Sequence, residues 1–141
     1  MNNIAIKVVK YADFKDQIMN IRKVVFIEEQ NVPEELEIDG VDPESIHVLA
    51  YDGDEAVATG RMLLDGHIGR IAVIKEYRSP GIGVLIVNKL LDIAKNLNLD
   101  EVYLSSQYHA RDFYQKLGFI AEGEIYLDAG IEHITMKKKN N

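Results

Sequence analysis

Apolar residues alternate with polar ones at Ile4, Ile6 and Val8, the period of two that marks a strand with one buried face. After Asp13, a residue suited to an N-cap, Phe14, Ile18, Ile21 and Val25 recur at helical spacing and predict an amphipathic helix. The helix runs through Val24–Ile27 and on toward Pro33, which biases Val32 away from helical geometry. The acidic stretch from Glu34 to Gly40 reads as a short helix or loop. Such a run is ordinarily a solvated face, although it could also line a substrate entrance and attract an amine. Two strand-like runs follow, Ser45–Tyr51 and Ala56–Leu64, separated by Asp52-Gly53-Asp54-Glu55, a hairpin signal. Asp65-Gly66 marks a second hairpin into a run from His67 to Ile74. The three runs predict an antiparallel meander.

The next element organises the chain. Ile71–Ile74 ends as an apolar run, the chain turns at Arg78-Ser79-Pro80-Gly81-Ile82-Gly83, and a helical pattern begins. Ile82, Ile86, Leu90, Ile93 and Leu97 form one stripe, with Val84, Val87, Leu91 and Ala94 beside it; a stripe this broad packs on a sheet. Val102–Ser106 then follows at the spacing of a strand–helix–strand unit. The right-handed crossover rule places it parallel to the strand ending near Ile74. His109–Leu117 predicts another helix, stopped at Gly118, and Phe119–Glu122 and His133–Lys137 are strand-like, with a turn at Asp128-Ala129-Gly130. The fold class is α+β: a mixed, mostly antiparallel sheet of about seven strands flanked by helices, in a single domain over residues 1–141.

The glycine turn carries the candidate chemistry. Residues without a Cβ let backbone N–H groups close on a ligand, and the unpaired donors of a first helical turn favour an anion such as pyrophosphate. A Walker loop would need Lys and Ser or Thr directly after its last glycine, where Val84-Leu85 stand. A dinucleotide fingerprint would need a small residue at Ile86 and an acid ending the next strand, but Asp100 and Glu101 precede that strand. The pattern that Arg78, Gly81 and Gly83 do match is Arg/Gln-x-x-Gly-x-Gly/Ala.

Composition narrows the partners. The chain has 141 residues, 47% of them hydrophobic, enough for one core and too few for a second domain. A net charge of −7, with no basic cluster before Lys137-Lys138-Lys139, argues against nucleic acid; that triplet reads as the solvated end of the last strand. No run approaches the roughly 20 apolar residues of a membrane span, and MNNIAIKVVK shows no secretory pattern, so a cytoplasmic location is expected. Without cysteine, acyl transfer cannot use a thiol nucleophile. The scattered histidines have no metal-ligand spacing, and no metal is expected.

A second motif, Arg111-Asp112-Phe113-Tyr114-Gln115-Lys116-Leu117-Gly118-Phe119, stands one strand downstream of the glycine loop. The two together resemble the coenzyme-A loop and F-Y-x-x-x-G-F motif of the GNAT superfamily of N-acetyltransferases, and the predicted element order matches over nearly the whole chain. VVFIEEQNVPEELEIDG and LDAGIEHITM look like its ElaA/YjcF-like subgroup. The resemblance implies direct acetyl transfer from acetyl-CoA, the cosubstrate, to a primary amine on a small molecule or peptide. The alternative is a non-catalytic acyl-CoA-binding or regulatory module. A homodimer is compatible with the chain.

The resemblance also implies a site. Pantetheine would lie where the strands ending at Ile74 and Ser106 splay apart after a bulge, bonded by backbone groups of Ile71, Ala72 and Val73. The N–H of Val73 would polarise the thioester carbonyl. Arg78, Ser79, Pro80, Gly81, Ile82 and Gly83 would hold pyrophosphate. Tyr114 would protonate the leaving thiolate, against a reading of Phe113 and Tyr114 as core aromatics. Gln107 and Ser105 could bond pantetheine or substrate, or satisfy local backbone. For the base, His67 falls where some family members carry a catalytic glutamate, although an exposed hairpin histidine is the competing reading. Glu28 and Glu29 could line the acceptor cleft, and His47, His109 and His133 read as structural.

Overall fold

The computed structural model describes residues 3–78 and 81–140, so Ser79 and Pro80 of the expected phosphate loop lie outside the described residues. The elements run β1 (Ile4–Val9), α1 (Tyr11–Arg22), a π-helical stretch (Lys23–Glu29), α2 (Glu34–Glu37), β2 (Ile46–Asp52), β3 (Glu55–Met62) and β4 (His67–Val73). They continue with α3 (Ile82–Asn96), β5 (Glu101–Gln107), α4 (Arg111–Lys116), β6 (Ile120–Asp128) and β7 (Ile131–Lys139). All seven strands form one sheet in the order β1-β2-β3-β4-β5-β7-β6, parallel only between β4 and β5. The crossover through α3 expected from sequence is what lets that pair run parallel. No helix among the described residues is long and apolar enough to cross a membrane.

Successive residues of β2 show the two-faced burial. Val48 and Ala50 pack into the cluster under α3, while Leu49 and Tyr51 pack with Ile18, Ile21 and Val25 from the α1 side. The sheet is therefore covered on both faces, which is why β2 and β3 are buried almost throughout.

Several local expectations are corrected. Helix α1 is capped at Lys10, with Asp13 in its first turn and Phe14 off helical geometry at a φ of −125°. The buried stripe includes Arg22, which has no solvent exposure. The acidic stretch is not a solvated face throughout: Glu37 is 2% exposed and, just after it, Asp42 is 3% exposed. The last hairpin is longer than its apolar pattern suggested. Strand β6 is an edge strand with most side chains exposed, so burial leaves little periodicity on it.

At one place the sheet and α3 meet closely. A Cβ on Gly60 of β3 would lie 2.5 Å from Cγ2 of Ile86 and 2.9 Å from Cδ1 of Ile71. Gly60→Ala should therefore overpack this junction and cost about 1–3 kcal/mol. A urea midpoint equal to wild type would show that α3 shifts freely at this contact.

Candidate active site

Strands β4 and β5 pair at only two positions, His67 with Tyr103 and Ile68 with Leu104, and then separate. The cause lies on the other edge of β4, where the register against β3 shifts between Thr59 and Arg61. Opposite Gly60, β4 carries both Arg70 and Ile71, a bulge at which Arg70 takes a φ of +52°. Beyond it, the N–H of Ile74 bonds the carbonyl of Val57, so by ladder alternation Ala72 also faces β3. The N–H of Val73 points the other way, into the gap, and that of Ile71 has the same parity. Of the three predicted backbone contacts, Ile71 and Val73 are thus turned toward the gap and Ala72 toward the ladder. The gap opens into a cleft of about 300 Å³, lined by β4 and β5, by Phe26 and Gln30, and by the turn at Asp128-Ala129.

Gly81 occupies the cap of α3 with a φ of +87°, and a Cβ there would meet nothing within 4 Å. Backbone conformation requires the glycine, and the space beside it is open. Leu85 is the first residue to donate to the cap carbonyl, which leaves the N–H groups of Ile82, Gly83 and Val84 without helical partners. Gly83 has a different reason: its Cβ would lie 3.2 Å from Cζ of Phe113. The two sequence motifs therefore touch. Arg78 gives its Nε to the carbonyl of Val73 at 2.9 Å, while its other nitrogens hold both oxygens of Glu29 at 2.5 and 2.7 Å. The hydrogen bond to Arg78 keeps the Glu29 carboxyl below its usual range. Both side chains are partly exposed, and such a pair contributes under about 1 kcal/mol, so a phosphate can compete for the guanidinium.

Tyr114 reaches the cleft from the α3 side, edge-on to Phe113 and Phe119. Burial pushes its phenol up to about 12, and among the described residues its hydroxyl has no hydrogen-bond partner. It stays protonated at neutral pH. On the α1 side, His67 is half-buried and stacked on Tyr103 with centroids 4.6 Å apart, which corrects the picture of an exposed hairpin histidine. Burial lowers its pKa. Gln107 donates to Oε1 of Gln30 at 2.8 Å, so the end of β5 is tied to the end of the π-helical stretch.

His133 is the residue that sequence reasoning set aside. It pairs with Gln107 across β5–β7, lines the cleft and stacks near Tyr126, whose hydroxyl bonds Ser105. Its Nδ1 lies 2.7 Å from the carbonyl of Ile131, an acceptor, so Nδ1 carries the proton and the lone pair is on Nε2. The sequence signal was one His in a strand, and only pairing with Gln107 gives it a site.

Below the cleft lies an ionic network, buried at Arg22, Glu37, Asp42 and Arg61 and exposed at Asp39. Arg22 holds both oxygens of Glu37 at 2.6 and 2.8 Å and Oδ1 of Asp42 at 2.7 Å. Arg61 takes Asp42 at 3.0 Å and both oxygens of Asp39. Burial pushes the Asp39 carboxyl up, but the hydrogen bond and charge of Arg61 outweigh it and hold the group at about 2. Asp42 is likewise lowered, with burial opposing and Arg22 and Arg61 prevailing. His47 donates from Nε2 to the carbonyl of Asp42, and burial lowers its pKa.

The signs agree. Each group binds its proton more weakly folded than unfolded, so each stabilises the fold above its unfolded pKa and loses that contribution as pH falls. The urea midpoint should begin to fall below about pH 6.5 as the unfolded His47 charges, and fall steeply between about pH 4 and 2 with the carboxylates. A midpoint flat down to pH 3 would contradict the network.

Comparison with known proteins agrees with this geometry. Residues 11–140 match the family model described as an acetyltransferase (GNAT) domain. The chain is 41% identical over 123 residues to the uncharacterized N-acetyltransferase YjcF of Bacillus subtilis, covering 84% of this chain and 87% of that one. It is 33% identical over 130 residues to protein ElaA of Escherichia coli, covering 86% and 85%. The crystal structure of Escherichia coli ElaA superposes with a TM-score of 0.86 over 96% of this chain and 99% of that one, at 32% identity. An acyl-CoA N-acyltransferase from Pseudomonas aeruginosa superposes with a TM-score of 0.84, also at 32% identity, over 96% and 99%.

Proposed function

This chain belongs to the GNAT acetyltransferase family, and we propose that it transfers the acetyl group of acetyl-CoA directly to a primary amine. The observation that carries the reading is the gap between β4 and β5, with the N–H of Val73 turned into it and the open cap of α3 at its wide end. The N–H groups of Ile82, Gly83 and Val84 suit a pyrophosphate, and that of Ile71 suits an amide of an extended chain. The amine attacks the thioester carbonyl, whose developing oxyanion is met by the N–H of Val73, and the C–S bond breaks. Tyr114 gives its proton to the departing thiolate.

Two imidazoles on the α1 side compete for the amine's proton. No hydrogen bond among the described residues fixes a tautomer of His67, whereas Ile131 fixes that of His133 with Nε2 as the acceptor. We therefore assign the base to His133, with His67 as the comparison.

The first test measures thermal stabilisation by acetyl-CoA beside CoA release across a panel of primary amines. At 100 times its Kd, acetyl-CoA should stabilise by about 2.7 kcal/mol, and some amine should release CoA. Stabilisation without turnover of any amine would leave a binding module; no stabilisation would remove the reading. Gly81→Val should abolish the stabilisation in a folded protein, because a branched residue disfavours positive φ and its side chain would fill the open cap.

The second test separates acid from base. Tyr114→Phe should lower kcat by about 10²-fold with acetyl-CoA affinity nearly unchanged. His133→Gln should lower kcat/KM by about 10²-fold with acetyl-CoA affinity nearly unchanged, and His67→Gln should leave it near wild type. The reverse pattern would make His67 the base.

A further inference from the structure

The ionic network beneath the cleft contains three guanidiniums, Arg22, Arg61 and Arg70, and three carboxylates, Glu37, Asp39 and Asp42, but the charges are unevenly matched. Arg22 claims both oxygens of Glu37, and Arg61 claims both oxygens of Asp39, with Asp42 shared between them. Arg70 makes its hydrogen bonds through Nη2 alone, at 2.8 Å to the main-chain oxygen of Glu37, 3.3 Å to Asp39 and 3.5 Å to the carbonyl of Leu36, while its Nε lies 3.9 Å from Oε2 of Glu37, an ion pair beyond hydrogen-bond reach. Its Nε is buried without a hydrogen-bond partner, and among the described residues Nη1 has none either. Arg61, 4% exposed, also lines the cleft and also has an unpartnered Nε. Burial and the charge of Arg61 lower the pKa of Arg70 against the opposing charges of Asp39 and Glu37.

Position gives this imbalance a use. Arg70 is the bulge residue of β4, directly before Ile71, whose N–H faces the gap. Its contacts with Leu36 and Glu37 place its side chain on the α1 side, opposite Tyr114. Next to it Gly69 leaves open space: a Cβ there would meet nothing within 4 Å. The other ionisable groups lining the cleft are Glu37, already held by Arg22, Asp128 at the turn, and the two imidazoles. Among the described residues, the two carboxylates beside Arg70 are already committed elsewhere, Glu37 to Arg22 and Asp39 to Arg61, so a carboxylate brought by a ligand would complete its hydrogen bonds.

We propose that the acceptor is a primary amine that also carries a carboxylate, and that Arg70, backed by Arg61, binds the carboxylate and so presents the amine at the closed end of the gap. The inference rests on the acetyl-transfer reading and names the class of its substrate. A fork of guanidinium N–H groups suits a carboxylate, and an amine without one leaves the buried Nε of Arg70 without a hydrogen-bond acceptor.

The test uses amine pairs that differ only by the carboxylate: phenylalanine and phenethylamine, histidine and histamine, lysine and cadaverine, each assayed for CoA release from acetyl-CoA. The carboxylate-bearing member of at least one pair should have a kcat/KM at least tenfold higher, chiefly through KM. Arg70→Met should bring that ratio close to one while acetyl-CoA still raises the melting temperature, and Arg70→Lys, which keeps the charge without the fork, should retain part of it. Amines lacking the carboxylate turning over as well or better, or no turnover of any carboxylate-bearing member by a protein that acetyl-CoA stabilises, would overturn the proposal and leave acyl-CoA binding standing. An unchanged ratio in Arg70→Met would overturn the role of Arg70. Absence of stabilisation by acetyl-CoA would instead remove the reading on which the proposal rests.

Discussion

The side chain of Arg22 is fully buried and charged, and the geometry around the cleft follows from satisfying it. A guanidinium out of water costs several kcal/mol unless anions and acceptors surround it. Here they come from chain positions 15 and 20 residues further on, Glu37 and Asp42, so the connection between α1 and β2 must fold back over the sheet. Arg61 on β3 and Arg70 on β4 fasten the same connection from below through Asp39, Asp42 and the Glu37 carbonyl. Residues 34–42 thereby become a wall of the cleft instead of a loose acidic loop. Hydrophobic packing alone would leave that segment free, since Leu36 and Ile38 are both exposed.

The second constraint is a sheet that has to be continuous and open at once. Seven strands share one core, yet β4 and β5 separate after two paired positions. The bulge opposite Gly60 bends β4 away while α3, pressed closely on Gly60, keeps the strand on the core. The backbone groups released by the separation are costly if buried without partners, and a ligand can satisfy them. The contact of Phe113 with Gly83 then joins the start of α3 to α4, so that the glycine cap of α3 and the helix that carries Tyr114 are set relative to each other.

Both sides of the gap are also tied to the end of the π-helical stretch. Glu29 holds Arg78 and the next residue, Gln30, holds Gln107. These exposed or half-buried polar links are weak beside the Arg22 network, so they are the contacts a charged ligand can exchange most readily.

By itself the sequence determined the strand and helix order, the hairpins at Asp52-Gly53 and Asp65-Gly66, the parallel β4–β5 pair, and the two motifs flanking β5, because these are local patterns of period, turn residue and glycine. The position of Tyr114 within the second motif was legible for the same reason. The tertiary structure alone decided which ionisable groups are buried and with whom. Glu37 and Glu35 look alike in an acidic run, but only Glu37 meets Arg22. His133 looked structural until β7 paired it with Gln107, and Arg70 looked like an ordinary strand residue until the bulge turned it toward residues more than thirty positions away. A charge's cost depends on what surrounds it in space, and contacts between distant segments leave no periodicity in the chain that makes them.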